Sequence, residues 1–181
     1  MPQRLLAFAS LSTLCFAAMA QAHGFESVYN VIDSVVEAPY ECADYDPASD
    51  SCSGVSLMYS EEGILYNTSW FAMPNPTGGA PYVFETFQEY EVRMGWGCPL
   101  AGDSAPGIRY SSGGEPSLGE AYAQQLQAQL NANWDFYQPC AAYYPTGFRQ
   151  YEVEFRYPNG DYAEQPNTAV RFFDAPKPIR P

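Results

Sequence analysis

The chain has few basic residues and a single histidine. Among its 181 residues are 8 lysines and arginines against 21 acids, and His23 is the one histidine. A serine triad needs a histidine base, and this one stands close to the amino terminus without any Gly-x-Ser-x-Gly sequence in the chain. The acidic balance repels phosphate backbones and anionic lipid surfaces. We therefore expect no triad hydrolase, no nucleic-acid partner and no binding to anionic membrane surfaces. Leu14 precedes Cys15 where a lipoprotein site would have a small residue, so no membrane anchor is expected either.

Long apolar runs are also missing, apart from one at the start. Residues 5–18 form an apolar run behind a short segment containing Arg4, and small residues follow. The run is shorter than the about 20 apolar residues that span a bilayer. This arrangement is typical of a secretory signal peptide. We predict a signal peptide over residues 1–22, cleaved after Ala22 or Ala20, and a mature protein that is secreted or periplasmic.

The predicted mature chain has no odd cysteine. It contains four, Cys42, Cys52, Cys98 and Cys140. An even number in an exported protein predicts two disulfides, and four cysteines allow three pairings. The spacing favours Cys42–Cys52 and Cys98–Cys140, because the first two are close neighbours in a polar loop. Chain entropy gives the short ring about 3 kcal/mol of stabilisation and the longer ring about 4 kcal/mol. All four thiols then have a structural role, which removes cysteine nucleophiles.

Strands are indicated where apolar and charged residues alternate. Residues 82–94 and 148–157 both show this period of two, with glutamates on the polar face. Such a pattern is typical of strands with one buried face. Asn159-Gly160 predicts a tight turn. Pro166 would restrict the first half of the strand that follows this turn to a sheet edge or a bulge. Further strands are predicted over residues 25–36, 55–59, 64–71 and 162–173.

One helix is predicted over about residues 117–133. Ser117 and Glu120 have the spacing of a capping box, and an apolar stripe recurs every four residues at Leu118, Tyr122, Leu126 and Leu130. Together these elements predict an α+β fold. It consists of a single domain over residues 23–174, mainly an antiparallel β-sheet with one amphipathic helix and two disulfides. A proline-rich tail follows over residues 175–181.

His23 gives the strongest metal hypothesis. Cleavage after Ala22 would make it the amino terminus, where the amine and the imidazole chelate copper(II) together. Cleavage after Ala20 would place it third, and two deprotonated amides would then complete a square-planar nitrogen set. The sequence therefore predicts possible copper(II) binding at the mature amino terminus.

Two sets of acidic residues give weaker hypotheses. Residues 44–51 present oxygens at alternate positions, as calcium loops do, but Ala48 replaces a ligand and no glycine makes the sharp turn. Calcium is not expected. Glu89 with Glu91, and Glu152 with Glu154, stand roughly 7 Å apart on one strand face, a separation that inverting glycosidases use. Charged strand faces commonly contain such pairs, so they form the third functional hypothesis.

Aromatic residues exceed what the strand pattern needs. Trp70, Trp96, Trp134, Tyr143 and Tyr144 are candidates for stacking on a sugar or for contacting a protein partner. We expect a small exported protein that acts by binding or structural association, without a catalytic site and without a resident cofactor. Copper handling at His23 is the alternative, and a glycoside hydrolase that uses a glutamate pair is the third.

Overall fold

The computed structural model describes residues 24–100, 105–134, 139–157 and 159–181. The predicted signal peptide and His23 lie outside these residues. The described part contains two helices and nine strands. The helices are α1 (Val28–Ser34) and α2 (Pro116–Asn133). The strands are β1 (Tyr40–Ala43), β2 (Gly54–Glu61), β3 (Ile64–Met73), β4 (Tyr82–Arg93), β5 (Trp96–Pro99), β6 (Gly107–Ser112), β7 (Cys140–Gly147), β8 (Gln150–Arg156) and β9 (Thr168–Phe173).

Eight of these strands form a closed antiparallel barrel. They are neighbours in chain order, β1-β2-β3-β4-β5-β7-β8-β9, and β9 pairs back with β1. Strand β6 lies outside the ring and pairs with the first half of β4. Closure gives each of the eight strands a paired neighbour on both sides, although β5 and β7 are joined by a single residue pair. The predicted single, mainly antiparallel β domain is confirmed, but its strands curl into a barrel instead of an open sheet.

The strands predicted from alternation are confirmed. Tyr82 and Phe84 of β4, and Tyr151 and Val153 of β8, are buried at alternate positions. The glutamates of both strands lie on the opposite, outer face, and they are Glu85, Glu89 and Glu91 in β4 and Glu152 and Glu154 in β8. The period of two therefore gives the correct inward face in both cases.

Both predicted disulfides are present. Cys42–Cys52 is buried beneath the tail, where the Cys52 N–H donates to the Pro178 carbonyl at 2.9 Å. Cys98–Cys140 joins β5 to β7 beside Gly97 and Ala141, the residue pair through which these two strands meet. The longer disulfide therefore stabilises the short contact between β5 and β7.

The predicted strand over residues 25–36 is wrong, because most of it is helix α1. Val28, Val31 and Val35 are all buried, and their spacing of three and four residues places them on one helix face. The strand preference of valine is overridden because this face packs into the barrel end. The described chain thus has two helices where the sequence indicated one.

Helix α2 agrees with the predicted range to within one residue, but its cap differs and its predicted apolar stripe is only partly buried. It begins at Pro116, and the Glu115 side chain accepts hydrogen bonds from the N–H groups of Ser117 and Leu118. The capping box predicted at Ser117 is therefore wrong. Leu118 is 45% exposed, whereas Gly119 and Ala123 are buried against β6 and β4. Tyr122 and Leu126 of the predicted stripe pack around these small residues, so the stripe is confirmed at its centre and wrong at Leu118.

The last predicted strand is shorter than expected. Strand β9 begins at Thr168, and Tyr162 forms only an isolated bridge with Arg156. The turn at Asn159-Gly160 is present, with Gly160 at a φ of 93°. Pro166 lies between this bridge and β9, in agreement with the irregularity that the sequence predicts there.

Candidate ligand-binding site

The barrel encloses a cavity of about 200 Å³. Each of the eight barrel strands contributes at least one residue to its wall, and α1 contributes Val28. An eight-stranded barrel has room for its own side chains or for one small ligand. An engineered cavity of about 150 Å³ accepts benzene. The space in this barrel therefore suits a single small molecule.

Small inward-facing residues leave this space open. Gly97 on β5 and Ala141 on β7 are paired in register on one wall, and Ser56 on β2 and Thr168 on β9 lie on others. A Cβ atom added at Gly97 would still be 3.8 Å from its nearest neighbours, Leu65 and Val28. The cavity exists because these positions lack the large apolar side chains that normally fill a small barrel.

Helix α1 closes one end of the cavity. Its Val28 N–H donates to the Gly95 carbonyl at 2.9 Å, in the turn between β4 and β5. The Tyr29 hydroxyl donates to the Gly63 carbonyl at 2.9 Å, in the turn between β2 and β3. These bonds attach the helix to two hairpin turns while its valines face the core. The helix therefore covers that end of the barrel.

Glu41 is the chemically distinctive residue of the cavity. It lies on β1, is half-buried, and lines the cavity. The Tyr143 hydroxyl donates to Glu41 Oε2 at 2.7 Å. Burial raises the pKa of Glu41 to about 7, and the Tyr143 hydrogen bond lowers it by less. In the described part of the chain, no lysine or arginine forms an ion pair with this carboxyl.

Two tyrosines stand near this carboxyl, the buried Tyr143 and the partly buried Tyr90. Burial raises the pKa of Tyr90 to about 12, and it raises the pKa of Tyr143 well above its usual value of 10.0. The Tyr90 hydroxyl donates to Gln88 Oε1 at 2.8 Å. Both phenols are neutral at ordinary pH. They can donate hydrogen bonds or present ring faces, but they supply no positive charge.

The five aromatic residues selected from the sequence do not form one surface. Tyr143 lines the cavity. Trp70 lies on the outer face of β3, where its Nε1–H donates to Glu85 Oε2 at 3.2 Å. Trp96 and Tyr144 both pack edge-on against Phe25, with ring centroids 6.1 and 6.4 Å from it. Trp134 stands at the end of α2.

The glutamate pairs lie on the outer face of the barrel. Glu91 forms an ion pair with Arg93, and Glu154 forms one with Arg156. Asn167 donates to Glu152 Oε1 at 2.5 Å. The structure therefore places these carboxylates in polar surroundings on strand surfaces, outside the cavity that contains Glu41.

The acidic loop uses its carboxylates to hold its own turn. Asp46 accepts hydrogen bonds from the Ala48 N–H at 2.9 Å and the Ser49 hydroxyl at 2.6 Å. Asp50 accepts from the Tyr45 hydroxyl at 2.7 Å and from Lys177 at 3.0 Å. Within residues 24–100, 105–134, 139–157 and 159–181 no three metal-ligating side chains cluster. Copper binding at His23 stays a prediction, testable by an absorption band that His23→Ala removes.

Glu41, the one acidic residue among the described residues that line the cavity, was not among the sites predicted from the sequence. Its strand, β1, has four residues, too few to show alternation. The flanking residues Tyr40 and Cys42 are both apolar, which would by itself assign Glu41 to the solvent face. A hydrophobic side chain on either side of a lone glutamate was therefore a misleading signal.

Comparison with known proteins adds no assignment. No protein-family model, no curated protein and no solved structure matches this chain significantly. In the described residues no helix is both long and apolar enough to cross a membrane. The chain's own geometry, with the cavity and its single carboxyl, is thus the basis for assigning a function.

Proposed function

We propose that this protein is an exported binding protein that holds one small molecule inside its barrel. The observation that carries the proposal is the cavity of about 200 Å³ that all eight barrel strands line. Its wall is mainly apolar, with a few polar groups from residues such as Glu41, Asn67 and Tyr143. Ligand sites in proteins combine apolar walls with a small number of placed polar groups in this way.

Two features support an exported carrier or binding role. Two disulfides are compatible with an oxidising compartment, where such bonds persist. The polar groups described in the cavity wall are a carboxyl, phenols, hydroxyls and an amide, without a nucleophile paired to a base. We therefore propose binding without covalent chemistry as the activity of this site.

The test is calorimetric titration of the purified protein with 2-phenylethanol, a neutral probe of one ring. The wild type should bind one equivalent. Ala141→Leu should abolish binding, because the added carbons occupy the cavity beside Gly97. Ala169→Leu is the matched control, since Ala169 is an exposed residue of β9 between two cavity-lining positions.

Two results would contradict the proposal. The first is no binding of the probe to the wild type. The second is equal loss in Ala141→Leu and Ala169→Leu, which would place the probe outside the barrel. Thermal unfolding of both variants verifies that each is folded at the titration temperature.

A further inference from the structure

The buried carboxyl of Glu41 lacks a positive partner in the described chain. Its hydrogen-bond partner among the described residues is the Tyr143 hydroxyl, which donates to Oε2 at 2.7 Å, and the residue lines the cavity. An ionised carboxylate in a mainly apolar enclosure is costly unless a charge or several hydrogen bonds compensate it. A ligand that brings a cation removes this cost, whereas an anionic ligand adds to it.

The surrounding wall favours an organic cation over a metal ion. Calcium takes six to eight oxygen ligands, and magnesium needs a near-octahedral set. The cavity wall that contains Glu41 instead includes Met58, Tyr90, Tyr143 and Phe155. Aromatic faces attract ammonium groups through the ring quadrupole, and apolar side chains accommodate a hydrocarbon body.

We propose that the occupant of the barrel is a small organic cation, an ammonium group on an apolar body, with the ammonium placed against Glu41. This inference rests on the proposed binding function and specifies its ligand class. The cavity of about 200 Å³ limits the body to about one or two rings, judged from benzene in an engineered cavity of about 150 Å³. Phenethylamine satisfies both conditions and serves as the probe.

The state of the carboxyl makes the interaction depend on pH. The titratable groups that face Glu41 from the packed strands are Tyr143 on β7 and Tyr90 on β4. Burial keeps the pKa of both phenols above its usual value, so they stay neutral while Glu41 titrates. An ammonium ligand needs the ionised carboxylate. Its affinity should therefore fall on acidification through the pKa of Glu41, which is about 7.

The experiment compares phenethylamine with 2-phenylethanol, which has the same number of heavy atoms but no charge. At about pH 8 the wild type should prefer the amine by about tenfold or more, the effect of one hydrogen bond between charged groups. Glu41→Gln should remove this preference while 2-phenylethanol binding is retained. Glu89→Gln is the control, because Glu89 lies on the outer face of β4 and should leave both affinities unchanged.

Measurement of the wild type at about pH 5.5 provides a test without any substitution. Protonation of Glu41 should reduce the preference for the amine and leave the affinity for 2-phenylethanol unchanged. Equal affinities for the two probes at about pH 8 would overturn the ammonium inference and leave the cavity proposal standing. A preference that survives in Glu41→Gln would also overturn it. Failure of both probes to bind the wild type would overturn both proposals.

Discussion

The inner surface of the barrel wall includes a packed region under α2 and an open region around the cavity. Under α2, Tyr82 and Phe84 are fully buried, and a Cβ added at Gly119 would lie 2.4 Å from the Tyr110 ring. In the cavity, a Cβ added at Gly97 would be 3.8 Å from its neighbours. Strands β3 and β4 contribute to both regions.

This difference shows that the space inside the barrel is open in one part and filled by side chains in another. Where α2 covers the inner face, large rings and small helix residues fill the space. Where the barrel strands face one another, glycine, alanine, serine and threonine leave room around Glu41. Protein interiors rarely contain voids larger than a water molecule. An open region with a buried carboxyl beside a closely packed one therefore favours a binding role.

The largest expected effect concerns Glu41→Gln in the open region. The folded-state pKa is about 7, above the ordinary value of 4.5, so the folded protein binds this proton more tightly than the unfolded chain does. The stabilisation due to the protonated group is complete below about pH 4.5 and is lost as the pH rises through about 7. The glutamine variant cannot ionise. It should therefore be more stable than the wild type by about 3 kcal/mol at about pH 8.

Urea unfolding at several pH values measures this difference. The advantage of Glu41→Gln should shrink steadily on acidification and be absent below about pH 4.5. Glu89→Gln serves as the reference for a glutamate on the outer face. Identical pH dependence of unfolding in the wild type and Glu41→Gln would mean that the carboxyl is well solvated, and the open region would lose its distinguishing feature.

The second prediction compares equal changes in the two regions. Ala123→Leu adds three carbons under α2, where Ala123 is 3% exposed beside Tyr82 and Phe84. Overpacking there should lower the free energy of unfolding by about 1 to 3 kcal/mol. Ala141→Leu adds the same carbons in the cavity and should change it by less than about 1 kcal/mol. Chemical denaturation measures both, and equal destabilisation would contradict the distinction between the regions.

The smallest effect is expected from single methyl groups. Gly119→Ala should destabilise the protein by about 1 kcal/mol, because the Tyr110 ring at 2.4 Å is held by a hydrogen bond from its hydroxyl to the Gly113 carbonyl at 2.6 Å. This exceeds the gain in helix propensity that alanine normally brings. Gly97→Ala should be neutral or slightly stabilising. Thermal unfolding of the two variants measures this difference. A Gly119→Ala variant more stable than the wild type would show that Gly119 is not closely packed against Tyr110.

Two kinds of feature could be predicted from the sequence: strands whose alternation continues over many residues, and the disulfides. Strands β4 and β8 alternate over many residues, and the spacing of the cysteines gave the observed pairs. Closure of the barrel could not be predicted, because it depends on pairing between distant strands such as β1 and β9. Helix α1 has only seven residues, and its valines favour a strand when they are considered without their packing partners.

Glu41 could not be predicted because the outer face of β1 is itself covered. Tyr40 and Cys42 belong to an apolar cluster beneath the tail, with Ile179 packed against it. That cluster turns Glu41 toward the barrel interior, because alternate residues of a strand point to opposite faces. A sequence pattern shows which residues share a face. It does not show which face another segment will cover.

The direct test of the account is the pKa of Glu41, measured by NMR titration of the glutamate side-chain carboxyl carbons. Glu41→Gln identifies the signal by removing it. The account predicts one glutamate with a midpoint near pH 7 in the free protein, and a shift of that midpoint to lower pH when phenethylamine is added. A Glu41 midpoint at or below about 4.5 that is unaffected by the amine would contradict it.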